Sequence, residues 1–164
     1  MSTLTSNKID INIGIEENDR ETISKALSQV LADSYMVYIK SHNYHWNVTG
    51  HMFHSLHELF EEQYTELADA IDEIAERIRA LGFRAPGTTR EFNELSNIEE
   101  DTSTPKALDM VRNLAEDHEK VIRDCRKALK PAESADDEVT IDLLVERMEA
   151  HSQAAWMLRS ILEE

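Results

Sequence analysis

Apolar side chains recur along this chain at spacings of three and four, the mark of one buried helix face, and they do so in four long runs. The first holds Ile23, Leu27, Val30, Leu31, Tyr35 and Tyr38 and continues to about Trp46, with Asn18 or Asp19 placed to cap it and Glu21 in its first turn. The second begins near Ser55, carries Leu56, Leu59, Phe60, Leu67, Ile71, Ile74, Ile78 and Leu81, and meets Gly82 as its stop. The third starts at Thr104 before Pro105, uses Leu108, Val111, Leu114, Val121, Ile122, Cys125 and Leu129, and ends at Lys130-Pro131. The fourth opens near Asp136–Glu138 and carries Leu144, Met148, Ala155, Leu158 and Leu162.

The connections order these helices. Asn47-Val48-Thr49-Gly50 is a short break, and so is the stretch after Pro131. Between them, FRAPGTTREFNELSNIEEDTST is too long for a tight turn and has room for one short helix around Arg90–Leu95. Four helices of about 25 residues joined by short, long and short links predict an all-α, ferritin-like four-helix bundle with a crossover between helices two and three. Residues 1–17 read as a flexible N-terminal arm and 18–164 as the single bundle domain.

Composition narrows the function classes. Only 4 Gly and 3 Pro in 164 residues agree with helices throughout, and the lone Cys125 excludes an intrachain disulfide and reads as a small half-buried side chain. The N-terminus has no basic-then-apolar signal pattern and no run approaches ~20 apolar residues, so a cytoplasmic protein that does not enter the membrane is expected. A formal charge of −16, with Lys8 alone as a base before Arg20, makes DNA binding unlikely or weak.

The chemistry concentrates between His42 and Glu76, where His45, His57, Glu61, Asp72 and Glu76 follow one another in the sequence. His57 and Glu61 are four apart, as are Asp72 and Glu76, so each pair projects from one face of the central helix and can close on one ion. At ~1.5 Å per residue the two pairs lie ~16 Å apart along the axis, too far for one or two ions held at ~2.1 Å. All four fall within an arc of ~100°, so a second copy laid antiparallel across a two-fold axis near Glu66–Leu67 would bring its second pair to the first copy's first pair. Imidazole mixed with carboxylate suits Fe(II), Mn(II) or Zn(II), and spacing does not choose among them.

His-x11-His-x3-acid-x10-Asp-x3-Glu, with the first histidine inside His45-Trp46-Asn47, resembles the signature of the Dps family, the ferritin-like mini-ferritins of starved bacteria. The segments ADSYMVYIKSHNYHWNVTG and DAIDEIAERIRALG are similar to family segments as well, so the likeness spans nearly the whole chain. It implies a hollow homo-dodecamer that binds Fe(II) at dinuclear sites, oxidises it preferentially with hydrogen peroxide and stores ferric mineral. His45, His57 and Glu61 would act with the partner's Asp72 and the partner's Glu76 as ferroxidase ligands. Many family members carry Asp where this chain has Glu61, one methylene longer. The resemblance also points to Asp124 as an acid of the iron-entry pores, with Glu133, Asp136 and Asp137 just beyond it, and to Trp46, otherwise a core aromatic, as a residue that handles radicals beside the iron.

Two further histidines stand out from the pattern. His42 lies one turn before His45 on the same face, and His151 interrupts the apolar stripe of the last helix, where burial demands a partner. With helices one and four parallel, these two are expected to approach each other as extra ligands or a clamp beside the site, making zinc a competitor for iron. His51 and His54 read as solvent-facing and His118 as a bundle histidine. A di-iron oxygenase would need Glu-x-x-His pairs, but Ala115 and Met148 stand three before His118 and His151. The remaining alternatives are a DNA-compacting nucleoid protein and a zinc-occupied variant.

Overall fold

Each of the four apolar runs is a helix, and the long connection carries a fifth: α1 (Glu17–Asn47), α2 (Phe53–Ala80), α3 (Thr89–Leu95), α4 (Ala107–Ser134) and α5 (Glu138–Leu162). The computed structural model describes residues 10–163, and among these there is no strand and no helix long and apolar enough to cross a membrane. The expected arm therefore lies, over residues 1–9, outside the described residues. From Asp10 onward the chain approaches α1 against the end of α2. Arg20 donates to the carbonyls of Ile15 (3.1 Å) and Leu81 (2.8 Å), and a Cβ on Gly82 (φ +100°) would collide with Ile11.

The expected short helix is α3, closed by a capping box in which Thr88 and Glu91 each accept from the other's backbone N–H. α4 departs from expectation at both ends. It starts at Ala107 with Lys106 as cap, not at Thr104-Pro105, because Asp101 binds the backbone and hydroxyl of Ser103 and the Tyr44 hydroxyl, holding 101–106 in a non-helical path. It also runs past Pro131, which has no N–H to donate to the carbonyl four residues earlier and lies in the last turn, three residues before the helix ends. The stop is a Schellman turn: Asp136 takes positive φ (52°), while the N–H of Asp137 reaches the carbonyl of Ala132 and that of Asp136 reaches Glu133. Asp137 then caps α5 by accepting from the N–H of Thr140 (3.1 Å) and also binds Arg77 of α2 (2.7 Å).

α1 packs on α2 and α4, and α5 packs on α4 and touches α2, so α1 and α5 sit at opposite corners of the bundle. The shared core is built from residues such as Leu27, Leu31, Phe60, Ile74, Val121 and Leu144. Cys125 lies wholly inside it, more deeply than the half-buried position expected, and burial pushes its thiol up to about 12.

Two histidines share that interior. His118 of α4 and His151 of α5 are 2% and 1% exposed and meet Nδ1 to Nδ1 at 2.8 Å, so one imidazole donates and the other accepts. Burial holds both well below the ordinary value of 6.5, His118 at about 4. The folded chain therefore binds fewer protons than the unfolded chain between these limits, and stability is full above about pH 6.5 and lost as pH falls toward about 4. Thermal unfolding across that window is expected to show a falling midpoint that flattens in His118→Leu/His151→Leu; an unchanged slope in that variant would count against these histidines as its source.

Candidate metal centre

The α1–α2 hairpin brings His45 and His57 face to face. His45 occupies the last turn of α1, where backbone carbonyls have no helical partner, and the turn at Gly50 (φ +105°) returns the chain so that His57 lies in the second turn of α2. The rings stack at 3.8 Å, 15° from parallel. The Nδ1–H of His45 donates to the carbonyl of His57 and the Nδ1–H of His57 to the carbonyl of His45, both at 2.7 Å.

Because a carbonyl can only accept, these bonds fix the proton on each Nδ1 and leave both Nε2 atoms with free lone pairs. Glu61, one turn after His57 and exposed, completes a group whose candidate ligand atoms all lie within 4.8 Å of one another. Among the described residues it is the one such group of His, Cys, Asp or Glu side chains. Two imidazole nitrogens, each oriented by a backbone carbonyl, with a carboxylate beside them, are a donor set that fits a borderline divalent ion and leaves positions open.

Asp72 and Glu76 do not join this group. Both are exposed farther along α2, and Glu76 faces an open groove shared with Arg77, Val139, Asp142 and Glu146. His42 does lie beside the site, its ring 6.2 Å from that of His45, but it is sandwiched between Trp46 and Tyr64 at 4.1 Å each. Burial and the neighbouring His45 keep its pKa low. Tyr64, absent from the sequence reading, is three residues after Glu61 on the same helix face, a spacing that could have marked it.

Four expectations need correction. His151 does not approach His42; its partner is His118, since parallel helices at opposite corners of a bundle do not touch. Trp46 is no core aromatic but is 65% exposed. Asp124 is 5% exposed and turned inward, accepting from Asn97 (2.8 Å), Lys127 (2.7 Å) and Gln29 (3.5 Å). It sits against Asp33, whose carboxyl burial pushes up to about 7; burial also opposes the charge on Asp124, but bonds from Lys127, Asn97 and Asp33 hold its pKa low. Asp137 is likewise buried as cap and ion-pair partner. Of the four acids expected near the entry path, only Glu133 and Asp136 are exposed. His51 and His54 are exposed as expected.

A family model for the ferritin-like domain matches residues 24–164. The chain is 43% identical over 155 residues to an uncharacterized low temperature-induced protein of Nostoc sp., across 93% of this chain and 87% of that protein. It is 40% identical over 142 residues to DNA protection during starvation protein 2 of Bacillus anthracis, across 87% and 97%. Among solved structures, a Dps protein from Vibrio cholerae O1, a member of a broad superfamily of ferritin-like diiron-carboxylate proteins, superposes with a TM-score of 0.90 at 30% identity over 96% of this chain and 100% of that one.

Proposed function

This chain belongs to the Dps family of ferritin-like proteins, and from that premise we propose that it takes up Fe(II), oxidises it at dinuclear sites across a two-fold dimer interface, preferentially with hydrogen peroxide, and stores ferric mineral in a hollow dodecamer. As a family member it is a mini-ferritin of iron storage and stress protection. The observation that carries the finer reading is the pair of free Nε2 atoms beside Glu61, held by reciprocal bonds in one protomer. Three donors leave coordination incomplete, and the partner's Asp72 and the partner's Glu76 would complete it.

In this reading His45, His57 and Glu61 would hold one Fe(II) together with the partner's Asp72 and the partner's Glu76, and a bridging carboxylate would hold a second. Glu58, Glu62, Glu66 and Asp69, exposed around Glu61 on α2, raise the local concentration of cations. Glu133 and Asp136 are the two acids left to draw iron in at the α4–α5 corner. Two Fe(II) supply two electrons at once, so the O–O bond of peroxide breaks with uptake of two protons and gives two waters, with no hydroxyl radical released. Cytoplasmic placement agrees with this chemistry. The same donors suit zinc, which would compete for the centre. The charge of −16 disfavours a role as a DNA-compacting shell.

Anaerobic titration tests this directly. Two Fe(II) should be consumed per peroxide, faster than with dioxygen, and His57→Ala/Glu61→Ala should slow oxidation about a hundredfold or more. Equal consumption of iron and peroxide with spin-trapped hydroxyl radical would sink the two-electron reading.

A further inference from the structure

The crossover that leaves α3 runs onto a pair of buried carboxyl groups. Asp33 of α1 is fully buried, and Asp124 of α4, 5% exposed, lies against it. The chain after α3 is fastened to both. The Ser96 hydroxyl and the Asn97 backbone N–H donate to Asp33 Oδ1 at 2.8 Å each, and the Asn97 side-chain amide donates to Asp124 at 2.8 Å. Ser96 Oγ also accepts from the N–H of Ile98, whose side chain is buried in the core. Three consecutive residues therefore tie the crossover to α1 and α4 by way of two carboxyl groups.

One atom does not fit two ionised groups. Asp33 Oδ2 is buried and meets no N–H or O–H, and a charged oxygen held so beside a second carboxylate costs more than burial of either alone. Asp124 has the better partners: Lys127 donates to its Oδ1 at 2.7 Å, and Gln29 and Asn97 donate to its Oδ2. A proton on Asp33 Oδ2, donated to Asp124, removes the conflict and gives the orphaned oxygen its partner. In keeping with that geometry, burial and Asp124 push the Asp33 carboxyl up from 3.8 to about 7, against the bonds from Ser96 and Asn97. Burial pushes the neighbouring Cys125 thiol up to about 12, so it stays neutral, and Arg147 of α5 acts on that thiol.

We propose that Asp33 and Asp124 share one proton and that this proton is a latch: while it is held the crossover after α3 stays closed on α1 and α4, and its loss lets the crossover open. With both groups ionised, two negative charges face each other in a buried site, and Lys127 meets only Asp124. Opening at residues 96–98 admits water to Asp33 and relieves the repulsion, so opening and proton release are one event. The direction follows. A carboxyl whose pKa is raised in the closed state holds a proton there that the open state gives up, so the latch is strongest below about pH 4, weakens up to about pH 7 and weakens no further beyond it. The buried histidine pair acts in the opposite sense as pH rises. None of the residues of the metal centre takes part, so the latch is independent of what that centre binds.

Hydrogen exchange of the full chain, read by mass spectrometry at the Asn97 and Ile98 amides that donate to Asp33 and Ser96, supplies the test. Protection, the slowing of exchange relative to the unfolded sequence at the same pH, should fall by up to about tenfold per pH unit between about pH 5 and 7 and then level, while the amides of α4 and α5 do not follow. Asp33→Asn puts an amide N–H where the shared proton stands and keeps an oxygen for Ser96 and Asn97. It should hold protection at its low-pH value throughout, about tenfold or more above wild type at about pH 7.5. Asp124→Asn leaves Asp33 facing a neutral amide and should move the fall to lower pH. Circular dichroism establishes that each variant is folded. Wild-type protection that stays level across this range, or a fall that survives in Asp33→Asn, overturns the latch; if Asp33→Asn does not fold, an unshifted fall in Asp124→Asn overturns it instead.

Discussion

Co-assembling His57→Ala/Glu61→Ala chains with Asp72→Ala/Glu76→Ala chains is expected to restore iron oxidation to about a quarter of the wild-type rate from two inactive parents. The fraction follows from symmetry. Random pairing makes half of the dimers mixed, and in each mixed dimer one site takes all its ligands from intact positions while the other keeps only His45. The structure gives the reason to expect complementation: His45, His57 and Glu61 converge within one protomer, whereas Asp72 and Glu76 lie exposed beyond the reach of that cluster. Steady-state oxidation in refolded mixtures is the measurement. Mixtures as inactive as the parents, in assemblies of unchanged size, would mean that the site is not shared between subunits.

Asp117→Ala is expected to cost about 3–5 kcal/mol of stability, the largest loss from any single ion-pair deletion in this chain. Lys40 of α1 and Asp117 of α4 meet at 2.6 Å with side chains 9% and 4% exposed. Lys120, more exposed, adds a weaker contact to the other carboxylate oxygen at 3.3 Å. Removing the carboxylate strands an ammonium in the interface between two helices. Lys40→Met/Asp117→Leu, which removes both charges, should recover most of the loss because neither desolvation cost then remains. Denaturant midpoints at one fixed protein concentration decide the matter: a single variant that costs under about 1 kcal/mol would show the pair to be solvated in solution.

Periodicity made the helices legible because burial acts on one face of each, and the start expected for α2 at Ser55 lies two residues from its true start at Phe53. Helix ends were less legible, since they depend on contacts made far away in sequence. The Asp101–Tyr44 bond that keeps Thr104 and Pro105 out of α4 joins segments 57 residues apart. The convergence of the trio was readable because His57 and Glu61 share a helix face and His45 sits across a short turn. The placement of His151 was not, since the lengths of the connections give helix direction and leave open which helices are neighbours. Trp46 shows the same gap from another side: an apolar residue at the end of a stripe reads as core until the ring is found stacked over His42 on the outside.

The paired Nδ1 bonds between His45 and His57 also act as a fastener. They tie the last turn of α1 to the second turn of α2 without any ion, so the hairpin register and the orientation of both imidazoles are set by the chain itself. Alanine at either position therefore removes a ligand and a hairpin clasp together, and the two losses appear as one. Asparagine separates them, since its amide N–H stands where the imidazole Nδ1–H does and nothing occupies the place of Nε2. A chain with asparagine at both positions would keep the clasp and lose the metal, making the hairpin an architectural element that the chemistry borrows.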